Sequence, residues 1–366
     1  MNFDYNEEQQ LLADSVRRFI QKDYAFEARR KILAGDGWSA AAWRTFAELG
    51  LLGLAAPAEH GGFGGGAVDL MGVMEAFGEA LVVEPFLPTA ALGARLVARA
   101  GSEAQKKRIL PQLAGGKLKL AFAHAEAGAR YDLSSARATA KRSGAGWRLE
   151  GEKLGVLGAP AAEMLIVSAV SENVVRIFLV NADQTRITGY RNLDSQLAGD
   201  IVLSATAAEP LGEGDALPLI EEVVDFATAL VCAEGVGAMK YACDATLEYL
   251  KTRRQFGVPI GSFQALQHRI VDLYIAHEQA RSMACLACSK VDSAASARER
   301  ARAVSAAKIK VADSARFVSQ EAVQLHGGMG MTEELKISHT FRRLTLIAQQ
   351  FGDADHHLER FARAGE

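Results

Sequence analysis

The chain has 366 residues, of which 49% are hydrophobic, and its 41 Lys plus Arg against 44 Asp plus Glu leave a formal charge of -3. That length accommodates two or three domains with a substantial core, and the near-neutral balance gives no electrostatic footprint for nucleic acid or an anionic membrane surface. The opening MNFDYNEEQQLL has acids where a secretory leader needs cations and an apolar run, no segment approaches a membrane span, and Cys232, Cys243, Cys285 and Cys288 lie in Ala-rich helical patterns, which predicts a cytoplasmic protein with reduced thiols.

Residues 1–116 read as helix throughout. EEQQLLADSVRRFIQKDY repeats its apolar positions every three and four residues, SAAAWRTFAELGLLGL starts at Ser39 as an N-cap, and SEAQKKRILPQLAGG ends on paired glycines. Between the second and third of these, PAEHGGFGGG carries five glycines and predicts a close-fitting loop. Residues 117–212 change texture. LKLAFAHAE, WRLEGEKLGVLG, EMLIVSAV and VVRIFLVNAD read as strands separated by turn residues, giving a middle β-barrel or sandwich domain. From residue 213 to 366 the pattern is helical again, in runs long enough to predict a long-helix bundle. The predicted class is therefore α+β in the order helical, β, helical. The C-x-x-C at Cys285 and Cys288 has no second ligand pair and reads as core.

Three stretches carry chemistry: LKTRRQFGVPIGSFQALQHR (Leu250 to Arg269), EAVQLHGGMGMTEE (Glu321 to Glu334) and QQFGDADHHLER (Gln349 to Arg360). RRQFG offers a planar guanidinium, able to make paired hydrogen bonds to a pyrophosphate, and an aromatic face for an adenine. QLHGGMG offers glycines after a helix, where backbone can approach phosphate or ribose. Taken alone, RRQFG also reads as a basic helix end with a glycine cap. The third stretch, with two carboxylates and two imidazoles in five residues, could be a metal box, a proton-transfer turn or a solvated turn; the metal reading is weakest, because adjacent helical positions converge poorly.

In this order, with GLLGLAAPAEHGGFGGG ahead of a β domain, the chain resembles the acyl-CoA dehydrogenase family over essentially its full length. The resemblance implies FAD as cofactor and an oxidoreductase acting on the Cα–Cβ bond of an acyl-CoA thioester. It assigns Arg253, Phe256 and Gln264 to the ADP half of FAD, and Gln324, Gly327 and Gly328 to the same half from another subunit, so an oligomer is implied. An electron-transfer flavoprotein is the implied acceptor. The family base is a Glu in an aromatic-Glu-Gly-Thr turn. Counting back from Arg360 puts Asp353 at that position, whereas aligning Phe351 with the family aromatic puts Gly352 there and leaves no acid. Asp355 and Glu234 are weaker candidates, and the second base position known in some relatives holds Ala227 and Thr228. An alternative for Asp353 is an N-cap carboxylate of the last helix.

The middle domain departs from the family. The loop that reads Thr-Glu-Pro-Gly-Ala-Gly-Ser-Asp in relatives is AEAGARYD (Ala125 to Asp132) here, and the strand end that reads Trp-Ile-Thr-Asn-Gly is GVLGA (Gly155 to Ala159), so Gly155 replaces the Trp that shields the flavin and Leu157 the neighbouring Thr. An intact ADP half with a worn ring half is what the partner subunit of a heterotetrameric acyl-CoA dehydrogenase would show, and the tail looks closest to the pimeloyl-CoA dehydrogenase small-subunit type. The other readings are a self-sufficient homotetramer with Asp353 as base and a wider acyl pocket at Gly155, a non-catalytic partner subunit, or another flavin oxidation such as nitroalkane oxidation.

Overall fold

The computed structural model describes residues 6–144 and 146–365. Helices α1 (Glu7–Asp23), α2 (Phe26–Ala34), α3 (Ala40–Glu48), α4 (Ala67–Ala80), α5 (Ala94–Ala100) and α6 (Glu103–Ala114) come first. Strands β1 (Leu120–Ala123), β2 (Thr139–Ser143), β3 (Gly146–Leu157), β4 (Met164–Ser171), β5 (Val174–Asn181), β6 (Arg186–Arg191) and β7 (Leu197–Pro210) follow. The remainder comprises α7 (Leu217–Thr252), the short hairpin β8 (Arg254–Gln255) and β9 (Val258–Pro259), then α8 (Gln264–Ser293), α9 (Ala297–His326), α10 (Lys336–Gln349) and α11 (Ala354–Arg363). Helical, β and helical segments thus succeed one another, the α+β class expected from the sequence. Ser39 caps α3 by accepting from Ala42 N at 3.2 Å, and Ser102 and Gln105 form a reciprocal capping box on α6. The glycine stretch is preceded by a short 3-10 turn at Ala58–His60, and Gly62 lies so close to Ala56 that a Cβ there would collide with the Ala56 carbonyl.

The chain forms two compact units, one of Met1–Arg30, Ala67–Val82 and Thr228–Glu366, the other of Lys31–Gly66 and Val83–Ala227. In the second unit β4, β2, β3, β7 and β5 follow one another in hydrogen-bonded order, and β5 pairs back onto β4, so the sheet closes as a barrel with β1 added beside β4 and β6 beside β7. Closure leaves these five strands without an open edge. The interior is filled by Trp147, Leu149, Leu165, Phe178, Ile201 and Leu203 with small alanines between them. A buried π-helical stretch, Leu87–Gly93, lies before α5, and its Thr89 hydroxyl bonds both the Leu120 carbonyl at 2.9 Å and the Leu120 N–H at 3.2 Å, tying it to the start of β1.

In the first unit α4 and α7 touch through paired glycines. A Cβ at Gly78 would strike the Glu234 carbonyl, and one at Gly237 would strike the Glu75 carbonyl, so each helix presents a glycine to the backbone of the other three residues from its own contact carbonyl. This close approach is possible only without side chains. It also carries Glu234 into the interior, where both its oxygens meet Arg343 of α10, Oε1 to Nε and Oε2 to Nη2, each at 2.6 Å. Both side chains are at most 5% exposed. Cutting one partner out of a buried pair strands the other charge. Glu234→Ala is expected to lower unfolding free energy by about 3–5 kcal/mol, whereas a double Glu234→Met, Arg343→Met change recovers most of it; urea unfolding of the three proteins measures the difference, and equal losses in single and double variants would overturn the account.

Candidate active site

The end of α7 feeds the hairpin β8–β9, in which Arg254 pairs with Pro259 and Gln255 with Val258. The two residues between the strands, Phe256 and Gly257, both have positive φ, 51° and 83°, the pattern of a type I′ turn. Asn-Gly is the usual occupant of such a turn; a phenyl side chain there is strained, and it is 92% exposed with Phe263 edge-on at 6.1 Å. The chain therefore holds an exposed aromatic ring outward on a tight two-residue turn. Arg253, just before it, and Gln264, at the start of α8, are likewise exposed.

At the same end of these helices, Gly327 ends α9 with φ 61° and ψ -145°, a conformation that belongs to glycine. A Cβ at Gly328 would meet nothing within 4 Å, so packing inside this chain gives no reason for glycine there. Gln324, Gly327 and Gly328 are exposed. The His326 ring behind them stacks on Tyr249 of α7 at 4.5 Å and bonds the Ala322 carbonyl at 2.8 Å, which fixes the glycines at the helix end. An exposed ring, a guanidinium and an open glycine backbone fit the adenine and pyrophosphate of a dinucleotide.

In the barrel unit, the loop after β1 is anchored from inside. Lys153 is fully buried and its ammonium contacts Glu126 Oε1 at 2.5 Å, Ser168 Oγ at 3.0 Å and the His124 carbonyl at 3.2 Å. Glu126 also accepts from the Arg137 and Ala138 N–H groups at 2.7 and 3.1 Å. Gly155 occupies a bulge between Lys153 and Val156, with φ 62°, and its N–H donates to Asp200 Oδ1 at 2.9 Å, an oxygen that the Tyr190 hydroxyl also reaches at 2.8 Å. A tryptophan would be strained in that backbone. Leu157 is half-buried at the end of the same strand.

The tail stretch forms a tight turn between α10 and α11, with Phe351 at φ 61° and Gly352 at φ 125°. Asp353 is the N-cap of α11, its Oδ1 accepting from His356 N at 2.9 Å. Asp355 lies exposed in the first turn of that helix. Glu234 has both oxygens on Arg343, so its lone pairs are already engaged by a guanidinium. His357 points inward: Nε2 donates to the Phe351 carbonyl at 3.2 Å, and Nδ1 meets Ser305 Oγ at 3.2 Å. Because a carbonyl only accepts, Nε2 carries the proton in the neutral ring. Lys308 of α9, which no motif singled out, is fully buried and donates to the Gly352 carbonyl at 2.7 Å and the Ala348 carbonyl at 3.2 Å. Its signal in the sequence is positional: it sits four residues after Val304 and three before Val311, on the buried stripe of α9. Among the described residues no group of three or more His, Cys, Asp or Glu is arranged to hold a metal ion, and no helix is long and apolar enough to cross a membrane.

The family model for the acyl-CoA dehydrogenase N-terminal domain matches residues 6–117, and that for the C-terminal domain matches residues 217–365. The acyl-CoA dehydrogenase IpdE2 of Mycolicibacterium smegmatis is 30% identical over 361 residues, spanning 97% of this chain and 98% of its own. The chain belongs to the acyl-CoA dehydrogenase family. A solved variant of the Tcur3481-Tcur3483 steroid ACAD superposes with a TM-score of 0.89 at 30% identity, covering 98% of this chain and 97% of that one. The ChsE4-ChsE5 complex of Mycobacterium tuberculosis gives 0.90 at 26%, covering 99% and 98%. As an acyl-CoA dehydrogenase the protein is a flavoprotein oxidoreductase acting on CH–CH donors, with FAD as the family cofactor.

The turn of this dehydrogenase imposes a pH dependence. Burial, then the Lys308 ammonium, hold the His357 ring at a pKa down to about 3 from an ordinary 6.5. A histidine whose folded value is depressed contributes stability that is complete above about pH 6.5 and is lost as pH falls toward 3, because the unfolded chain takes the proton first. The full contribution is on the order of 4 kcal/mol. His124, brought to about 4 by burial and Lys153, acts in the same direction. Thermal unfolding from pH 7 to 3.5 is expected to show a steeper decline in the parent protein than in His357→Gln; parallel curves would refute the assignment.

Proposed function

We propose that the chain is one subunit of an FAD-dependent acyl-CoA dehydrogenase whose complete site requires a second, related polypeptide. The observation that carries this is the contrast between an outward-facing ADP-half surface and a strand end at Gly155 that is bulged, glycine-bearing and unable to seat a shielding tryptophan without strain. In this reading Arg253 pairs with the pyrophosphate, Phe256 stacks on the adenine, Gln264 and Gln324 supply polar contacts, and Gly327 and Gly328 admit the phosphate-ribose backbone. Bound FAD supplies the hydride acceptor. The chain's own contribution to the chemistry is the Asp353 carboxylate, which would accept the α proton of the thioester as the Cα–H bond breaks and its electron pair enters the Cα–Cβ bond, while the β C–H bond breaks and its hydrogen leaves as hydride to that acceptor. Asp355 is the reserve base, and Glu234 serves Arg343 instead. Residues 1–116, 117–212 and 213–366 are the helical, β and helical domains of this assignment. The apolar face of α8 around Val271 and Ile275, 55% and 50% exposed, beside Leu247 and Tyr274, is suited to subunit packing.

For the acyl group, the resemblance of the tail stretch to the pimeloyl-CoA dehydrogenase small-subunit type supports a dicarboxylyl-CoA such as pimeloyl-CoA. A second reading, a steroid-like thioester, is favoured by the likeness to a steroid ACAD at 30% identity. A cytoplasmic location and an electron-transfer flavoprotein as acceptor accompany both. Expressed alone, the protein is expected to carry little flavin; co-expressed with its partner it shows a flavin absorption band that bleaches anaerobically on adding the productive acyl-CoA. Strong flavin and bleaching in the protein alone would establish the homotetrameric reading, and flavin without bleaching by any thioester would point to another flavin oxidation or a binding role. In the competent assembly Asp353→Asn should slow bleaching by about 10²–10⁴, while Phe256→Ala should weaken FAD retention by roughly tenfold.

A further inference from the structure

We infer that Lys308 and His357 act as positioning residues for the turn that carries Asp353, clamping its backbone from two different helices. The turn has little to hold it by itself. Phe351 and Gly352 both take positive φ, and Phe351 pays the steric cost of a bulky side chain in that region. A Cβ at Gly352 would lie 2.6 Å from atoms of both the His356 and His357 rings, so the turn is pressed against α11. Two buried donors then take its two successive carbonyls: His357 Nε2 that of Phe351, and Lys308 Nζ that of Gly352. Each donor is itself braced, His357 by the Ser305 hydroxyl and Lys308 by the Ala348 carbonyl in the last turn of α10.

A buried ammonium with carbonyls as its hydrogen-bond acceptors is an expensive way to link a helix to a turn. An apolar residue at 308 would fill the stripe of α9 at lower desolvation cost, so what the lysine adds is the pair of carbonyls it holds. What it holds is the peptide immediately before Asp353. Displacing a reacting group by about 1 Å costs on the order of 10² in rate, and Asp, one methylene shorter than Glu, places more of that demand on the backbone. Charged or titratable groups around the clamp are Cys232 on α7, Lys308 on α9, and Asp353, His356, His357 and Arg360 on the turn and α11.

The inference rests on the assignment of Asp353 as base, and the experiment separates the two. Hydrogen–deuterium exchange is read on the peptide spanning 350–357 in the purified chain, and kcat and KM on the FAD-loaded assembly, for Lys308→Met, Ser305→Ala and Asp353→Asn. Lys308→Met is expected to raise exchange at least tenfold in that peptide with α8 unchanged, and to lower kcat by tenfold or more while KM for the acyl-CoA stays within twofold. Ser305→Ala, a mild change that keeps the fold if Lys308→Met does not, should raise exchange at the same peptide to a smaller degree. Exchange unchanged in both variants, or raised uniformly through the helices, would overturn the clamp. Asp353→Asn retains the helix cap and should leave exchange as it is while slowing turnover by about 10²–10⁴; full turnover in Asp353→Asn with local exchange still raised in Lys308→Met would remove the base assignment and leave the clamp standing as a holder of the turn.

Discussion

The buried pair of Glu234 and Arg343 is the constraint on which the first unit depends. It spans from α7 to α10 with two 2.6 Å contacts, and it is set at its depth by the glycine-to-carbonyl crossing of α4 and α7. A bidentate guanidinium-carboxylate contact fixes rotation as well as distance. Its position therefore determines the register of α10, and the same arginine reaches Gln350 Oε1 at 3.4 Å, where the turn leading to Asp353 begins. Hydrophobic packing alone is non-directional and would tolerate a helix sliding by part of a turn.

Two fully buried lysines serve parallel purposes in the two units. In the barrel, Lys153 holds the His124 carbonyl just before the loop of Ala125 to Asp132, with Glu126 as its counter-charge. In the helical unit, Lys308 holds the Gly352 carbonyl just before Asp353. Burial lowers the pKa of both ammonium groups, to about 8 for Lys308, while the Glu126 contact opposes the shift at Lys153. In each case a buried charge is held by hydrogen bonds that fix the backbone of the adjoining loop or turn.

The barrel loop shows that departure from family residues is not loss of structure. Gly155 bulges where the family resemblance predicts a tryptophan, yet its N–H is held by Asp200, which the Tyr190 hydroxyl also meets. The loop is built, but built differently, which suits a subunit that shares its site with another chain.

The helical and β segments and the caps at Ser39 and Ser102 were determined by the sequence itself, because they rest on local periodicity and capping chemistry, and the stretches Arg253 to Phe256 and Gln324 to Gly328 were legible through their family resemblance. Sequence could also name Asp353 both as a base and as a helix cap, without choosing between them. Tertiary structure decided that Glu234 is spent on Arg343 and that Lys308 and His357 grip the turn, since each depends on partners 44 to 109 residues away or on a backbone bend with positive φ. Such partners are set by how helices pack, and packing direction leaves no periodic trace along the chain. Phe256 lies between the two cases: its motif is legible, but only the I′ turn reveals that a strained ring is held out into solvent.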